Sequence, residues 1–282
     1  MKTLITASTG NIGQFAVKLL IDRGHEVRAT THDPQKIAQL TDLGADAVLV
    51  DLRKPSPDLF DNIDNALLIT PVGSDLPFVG GVLNDAAANA SLEYVVRISI
   101  LSSYIDANIA LGRWHAEVDR GLKDTGLKHA ILRPTGFMQN LLGMAETIRN
   151  GAIYSPTGKG KVGFIDAADI ALCAVTLLTH NDPLNPVIDL TGPELLSFSQ
   201  VAALFTEILD HSVKFEEVTP SSVKQQMLDS GLDQVFVDAV IEDMIAVKDG
   251  VDSEVKNGVQ DITGKVPNSM RAFIEANKAY FQ

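Results

Sequence analysis

The sequence predicts an α/β protein built on a doubly wound parallel sheet, with a smaller, mostly helical C-terminal part. Three observations carry this expectation. Short, nearly continuous apolar runs recur along the chain, as in strands covered on both faces. Helical patterns alternate with those runs as far as residue 190. At the start, a strand, a Gly-containing turn and a helix follow one another directly.

The first strand spans residues 2–6, the turn 7–13 and the helix 14–23, with Phe15, Val17, Leu19, Leu20 and Ile21 as its apolar residues. Gly24 ends that helix, and residues 26–31 form the second strand. Asp33-Pro34 opens a helix that runs through Lys36, Ile37 and Leu40 to Gly44. Residues 47–50 are a third strand ending at Asp51, and 66–69 a fourth, stopped by Thr70-Pro71. A helix over 77–90 leads to a fifth strand over 94–99. The next helix covers 110–124, and the strand at 129–132 runs straight into the segment 133–140. Residues 155–160 form a loop, 167–179 a helix and 187–190 a last short strand. From Thr191 the texture changes. Ser197 and Gln200 have the spacing of a capping box for a helix ending near Leu209, residues 213–218 suit a strand, and three helices follow from Pro220. The expected division is a Rossmann-type nucleotide-binding part over 1–190 and a smaller part over 191–282, which closes over the carboxyl ends of the strands and is free to interleave with the first.

Composition narrows the function. The chain has 282 residues, 45% of them hydrophobic, enough for one large domain with an appendage. A net charge of −13 argues against nucleic acid or an anionic membrane surface as a partner. The lone cysteine, Cys173, lies in the apolar helical run 170–178 and reads as a core residue, so no internal disulfide forms. That run is too short to span a bilayer, and the N-terminus has no signal-peptide pattern. A cytoplasmic protein acting on a small molecule is expected, with a homodimer left open. Six histidines and one cysteine lack ligand spacing, so no metal is expected.

The opening turn is the strongest functional signal. Free N–H groups and the positive end of the helix dipole suit a phosphate there. Gly10 admits the backbone close to that phosphate, and Gly13 lets the helix pack against the strand. Two glycines alone would make only a turn; ahead of a second strand at this spacing they point to a dinucleotide. At the end of the second strand stand Thr30, Thr31 and His32 with no acid among them, and Lys36 follows. An acid there would serve NAD ribose, whereas cations suit a 2′-phosphate. Asp33 is the nearby alternative that could meet a ribose.

Four segments in order resemble the NmrA-like branch of the atypical short-chain dehydrogenase/reductases. They are Ile5-Thr-Ala-Ser-Thr-Gly-Asn-Ile-Gly13, Leu132-Arg-Pro-Thr-Gly-Phe-Met-Gln-Asn140, Phe164-Ile-Asp-Ala-Ala-Asp-Ile-Ala171 and Asp189-Leu-Thr-Gly-Pro-Glu194. The resemblance implies NAD(P) binding. It also implies either reduction of quinones, dyes or similar substrates, or nucleotide sensing without turnover. NADP-preferring relatives place Arg and Lys four residues apart where this chain has His32 and Lys36, so NADP(H) is favoured over NAD(H). Ala7 stands where the family has its first Gly, which an Ala tolerates only while its φ stays negative. The cofactor site implied by the resemblance comprises Thr6, Ser8, Thr9, Gly10, Asn11, Ile12, His32, Lys36, Asp51, Thr70, Pro71, Ser99, His115, Pro134, Thr135, Gly136 and Phe137. Phe137 and Met138 would form an apolar wall facing a flat substrate, or else belong to the core.

The superfamily's Tyr-x-x-x-Lys pair is missing. Aligned through Asp119, its Tyr slot is Leu111 and its Lys slot is His115. Leu donates no proton, so carbonyl reduction by that route and nucleotide-sugar epimerisation are not expected. His115 could hold a ribose hydroxyl or supply a proton, or be a helix-surface residue near Asp119. Tyr104 is a second candidate donor, or a packed loop aromatic. Ser99 and Ser102 are both open as the superfamily's serine. Asp166 and Asp169 read as caps of the helix they open. The expected activity is NAD(P)H-dependent reduction of a small, flat, electron-poor substrate such as a quinone by direct hydride transfer, with a non-catalytic nucleotide-sensing regulator as the alternative.

Overall fold

The computed structural model describes residues 1–104, 106–180, 185–251 and 253–282, and within them the apolar runs become a parallel sheet. The chain runs β1 (Lys2–Ile5), α1 (Gly13–Asp22), β2 (Glu26–Thr31), α2 (Ile37–Asp42), β3 (Asp46–Leu49), β4 (Asn65–Leu68), α3 (Leu76–Ala88) and β5 (Tyr94–Ile98). It continues through α4 (Ala110–Asp124), β6 (His129–Pro134), α5 (Ala145–Arg149), β7 (Ala152–Ser155), α6 (Ala167–Leu178) and β8 (Val187–Leu190). The last third holds α7 (Phe198–Leu209), β9 (Lys214–Glu217), α8 (Pro220–Asp229), α9 (Gln234–Lys248), α10 (Gly258–Thr263) and α11 (Met270–Ala276). The main sheet has the order β3-β2-β1-β4-β5-β6-β8, with every neighbouring pair parallel. Winding reverses between β1 and β4, and that reversal leaves a crevice at the carboxyl edge.

Alternation along the strands builds two cores. Ile5, Leu67, Val96, Leu132 and Leu190 pack on one face with Val17 of α1 and Ile170 of α6. Leu4, Leu68, Val95 and Ile131 pack on the other with Ala87 of α3 and Leu122 of α4. Arg97 breaks the pattern, a fully buried charge in the middle of β5.

A third core belongs to the C-terminal part but draws on residues before 190. Met138, Leu141, Ile153, Val162 and Phe164 pack there with Val201, Phe205, Phe273 and Phe281. Its small parallel sheet pairs β9 with β7, a strand that sequence patterning passes over. In return, Val259 of α10 enters the core beneath β8. Among the described residues four α-helices run from Pro220 onward instead of the expected three, because α10 and α11 are separate short helices. The Ser197–Gln200 capping box forms with both reciprocal bonds. Asp166 caps α6 by accepting from the Ala168 N–H at 2.9 Å. Asp169 accepts from the Asn268 N–H at 2.7 Å, and burial pushes its carboxyl up to about 6. No helix among the described residues is long and apolar enough to cross a membrane.

Candidate functional site

The turn between β1 and α1 is held by side chains that look inward. Ser8 Oγ donates to the Ile5 carbonyl at 2.7 Å and accepts from the Thr30 N–H at 2.9 Å. Thr6 Oγ1 donates to the Ile69 carbonyl and accepts from the Ile69 N–H. Both side chains are fully buried, so they shape the turn by clamping it to β2 and β4 and take no direct place in a ligand site. Ala7 corrects the sequence reading, because its φ is +47°, in the left-handed region. A non-glycine residue is strained there by roughly 1–2 kcal/mol. The Ala7 N–H, donating to Thr30 Oγ1 at 3.1 Å, and the Gly10 N–H, donating to the Ala7 carbonyl at 3.0 Å, hold it in place. A Cβ on Gly13 would sit 2.6 Å from the Ala7 carbonyl oxygen, so no other residue fits where α1 meets the turn.

Beyond this turn opens a cleft of about 540 Å³. Thr9, Gly10, Asn11 and Ile12 line it at the N-terminus of α1, where no side chain caps the helix. His32, Lys36, Asp51 and Arg53 line its outer end, and Thr70, Pro71 and Phe137 its inner end. Asp33 is committed elsewhere, accepting from the Gln35 N–H at 2.9 Å. Arg53 was not foreseen. It bridges the cleft mouth, with Nε 2.6 Å from Asp75 Oδ2 and Nη1 3.7 Å from Asp51 Oδ1. The only signal for it was a basic residue just after a strand-ending acid.

The remaining candidates lie apart from this lining. His115 is buried, not on the helix surface. Arg97 Nη2 can only donate, so His115 Nδ1 accepts from it at 3.3 Å and the ring is neutral. Burial, with the Arg97 charge beside it, pushes the imidazole down to about 3, which removes His115 as an acid near neutrality. Arg97 Nε donates to Asp119 Oδ1 at 2.7 Å, and Ser99 and Ser103 donate to Oδ2 at 2.8 and 2.7 Å. Burial alone would raise the Asp119 carboxyl, but the Arg97 charge and these three hydrogen bonds hold it below the usual carboxylate range. Arg97 Nη1 also reaches Thr70 Oγ1 at 3.2 Å, which joins this buried network to the cleft wall. Charged Arg97 inside a strand was the available signal, since a buried charge requires a buried partner.

Pro134 and Thr135 are buried outside the cleft lining, and the Gly136 carbonyl accepts from the Ile165 N–H at 3.0 Å. Met138 belongs to the C-terminal core, so of the two residues expected to form an apolar wall only Phe137 lines the cleft, beside Ile12, Leu52, Ile69 and Val79. Tyr104 stacks over Arg133 at 5.1 Å, away from the cleft. Burial raises the Cys173 thiol to about 12, which suits an inert core residue. Among the described residues no group of three or more His, Cys, Asp or Glu side chains is placed to hold a metal.

The NmrA-like family model matches residues 1–263. The NAD(P)H azoreductase of Xenophilus azovorans is 31% identical over 281 residues, covering 99% of this chain and 98% of the relative. The uncharacterized oxidoreductase YesF of Bacillus subtilis (strain 168) is 28% identical over 285 residues, covering 99% and 96%. Among solved structures, the NADPH complex of the Escherichia coli quinone oxidoreductase QOR2 superposes with a TM-score of 0.86 at 18% identity, covering 98% of this chain and 99% of that one. The Citrobacter sp. triphenylmethane reductase complexed with NADP(H) gives 0.85 at 18% identity, covering 97% and 99%. At such identity these two structures speak to the fold alone.

Proposed function

The chain is a member of the NmrA-like family, and from that premise we propose that it is an NADPH-dependent oxidoreductase acting on a flat, electron-poor acceptor such as a quinone or an azo compound. The observation that carries this reading is the cleft itself, whose outer end gathers three basic side chains while β2 ends without an acid. The chain's own residues fit a dinucleotide phosphate. The uncapped N-terminus of α1 and the backbone at Gly10 and Asn11 would hold the pyrophosphate. Lys36 and His32 would meet the 2′-phosphate, and Arg53 would join them by exchanging its ion pairs with Asp75 and Asp51 for the phosphate. Bound there, the reduced nicotinamide supplies a hydride.

The chain offers little beyond binding and orientation. Leu111 has no proton to give, and His115 is neutral and committed to Arg97. An acceptor must therefore take a hydride unaided and draw its proton from water, which quinones and azo compounds can do and simple ketones do poorly. Phe137 gives that acceptor a flat apolar neighbour at the inner end of the cleft. The name of the azoreductase relative supports the azo part of this substrate range.

The test is NADPH consumption against a panel of quinones and azo dyes, with NADH in parallel. Turnover of at least one acceptor, faster with NADPH, is expected. No turnover with any acceptor, together with NADPH binding, would replace this reading with a nucleotide-sensing regulator.

A further inference from the structure

At the outer end of the nucleotide cleft, acids stand among the cations. Lys36 and Arg53 line it together with Asp51 and Asp75, so the formal charges of these four side chains cancel. A phosphate group carries roughly two negative charges at neutral pH. A surface balanced in this way offers it little, unless one of the cations leaves its acid.

Asp75 is the anomaly. It stands at the N-cap position of α3, where an Asp side chain ordinarily accepts from a free N–H of the first turn, yet it caps nothing. Pro77, the second residue of α3, has no N–H, which leaves the Phe78 N–H as the donor for such a cap. The carboxylate is turned instead toward Arg53 and accepts from its Nε at 2.6 Å. Arg53 follows β3 and Asp75 follows β4, strands separated in the sheet by β2 and β1, so the pair reaches across the cleft mouth. Asp51 anchors the near side. Its Oδ1 accepts from the Arg53 N–H at 2.9 Å and lies 3.7 Å from Nη1, beyond hydrogen-bond reach. Among the described residues, then, Asp75 is the one group to which the guanidinium hydrogen-bonds, and both of its terminal NH2 groups make no hydrogen bond. The Arg53 side chain is 62% exposed and that of Asp75 36%, so the pair is a weak one that a stronger anion can open.

We propose that Asp75 is a specificity-determining residue, which competes with a cofactor 2′-phosphate for Arg53. While Asp75 holds Arg53, the outer end of the cleft has no surplus of positive charge. When Arg53 turns to a phosphate, Asp75 is released to cap α3 through the Phe78 N–H, and the positive end of that helix offsets part of the lost ion pair. The acid thus lowers affinity for the phosphorylated nucleotide and leaves the unphosphorylated one alone, without reversing the preference that Lys36 and Arg53 set. That Arg53 meets a 2′-phosphate rests on the NADPH reading; the hold of Asp75 on Arg53 does not.

The test is calorimetric titration of the full chain with NADPH and with NADH, which differ only in the 2′-phosphate. Asp75→Asn keeps a side chain able to cap α3 and removes the charge. It is expected to tighten NADPH about threefold, the worth of one exposed ion pair, and to leave NADH unchanged. Arg53→Met should weaken NADPH, and Asp75→Asn added to it should bring no further gain. Both side chains are exposed, so neither variant disturbs the core. A mere loss of negative charge near the cleft would instead help both nucleotides and would help them with or without Arg53. No gain in Asp75→Asn, an equal gain for NADH, or a gain that survives in the Arg53→Met background overturns the proposal. The NADPH reading is tested separately by the same titrations. Equal affinity of the unmodified chain for the two nucleotides, with the Asp75→Asn gain present, overturns that reading alone. Tighter NADPH binding without the gain overturns this proposal alone.

Discussion

The cleft beside the β1–α1 turn and the network around Asp119 meet at Thr70, yet they treat polar groups in opposite ways. In the cleft, His32 and Lys36 are exposed and the α1 N-terminus is uncapped. Around Asp119, two arginines, two serines and a histidine converge on one carboxylate and its partner inside the fold. Polar groups left open at a concave surface are available to a ligand, whereas groups that satisfy one another out of water fix structure. His115 is thus part of the interior, while the cleft at the α1 N-terminus is open.

The sharpest way to break this contrast is to unbalance the interior. Asp119→Ala leaves Arg97 buried without its counter-charge and is expected to cost about 3–5 kcal/mol, read from the urea midpoint at constant slope. A loss below 1 kcal/mol would mean that the network is not structural. In the cleft, Gly13→Ala forces a Cβ against the Ala7 carbonyl oxygen and should cost about 1–3 kcal/mol of stability, with nucleotide affinity falling alongside. Unchanged affinity would move the phosphate site away from the turn.

Acid gives a graded test of the interior. His115 is held neutral when folded, with its pKa down near 3, but titrates near its ordinary value when unfolded. The unfolded chain therefore takes up the proton first, and this contribution to stability is full above pH 6.5 and lost as pH falls. Between pH 7.5 and 5 the loss should be about 2 kcal/mol, and it should vanish in His115→Gln, whose amide oxygen can still accept from Arg97. Identical pH dependence in the variant would place His115 in contact with solvent. At the cleft's outer end, Lys36→Ala should weaken NADPH about tenfold, one charged hydrogen bond, and leave NADH unchanged. Ala7→Gly should have the smallest effect, a gain of up to about 1 kcal/mol from relieved left-handed strain, offset in part by unfolded-state entropy.

What the sequence disclosed follows the same divide. β1, its turn and α1, the buried parallel strands, and the Ser197 cap are local patterns, and each formed within a residue or two of expectation. The pairing of β7 with β9 joins segments about sixty residues apart and leaves little periodic trace in strands of four residues. Arg97 and Asp119 are 22 residues apart and meet only because α4 packs on β5 and β6. His115 read as a site residue through its alignment slot, but its role depends on that packing. Ala7 carries a φ that composition cannot reveal, since only the surrounding hydrogen bonds impose it. The exposed cleft residues were easier to place, because a turn's geometry fixes what lies beside it.

The most direct measurement is a pair of calorimetric titrations of the unmodified chain, with NADPH and with NADH at the same ionic strength. An open cleft with cations at its outer end and no acid ending β2 should bind NADPH at least tenfold more tightly, at one nucleotide per chain. Equal affinity, or tighter binding of NADH, would contradict the account.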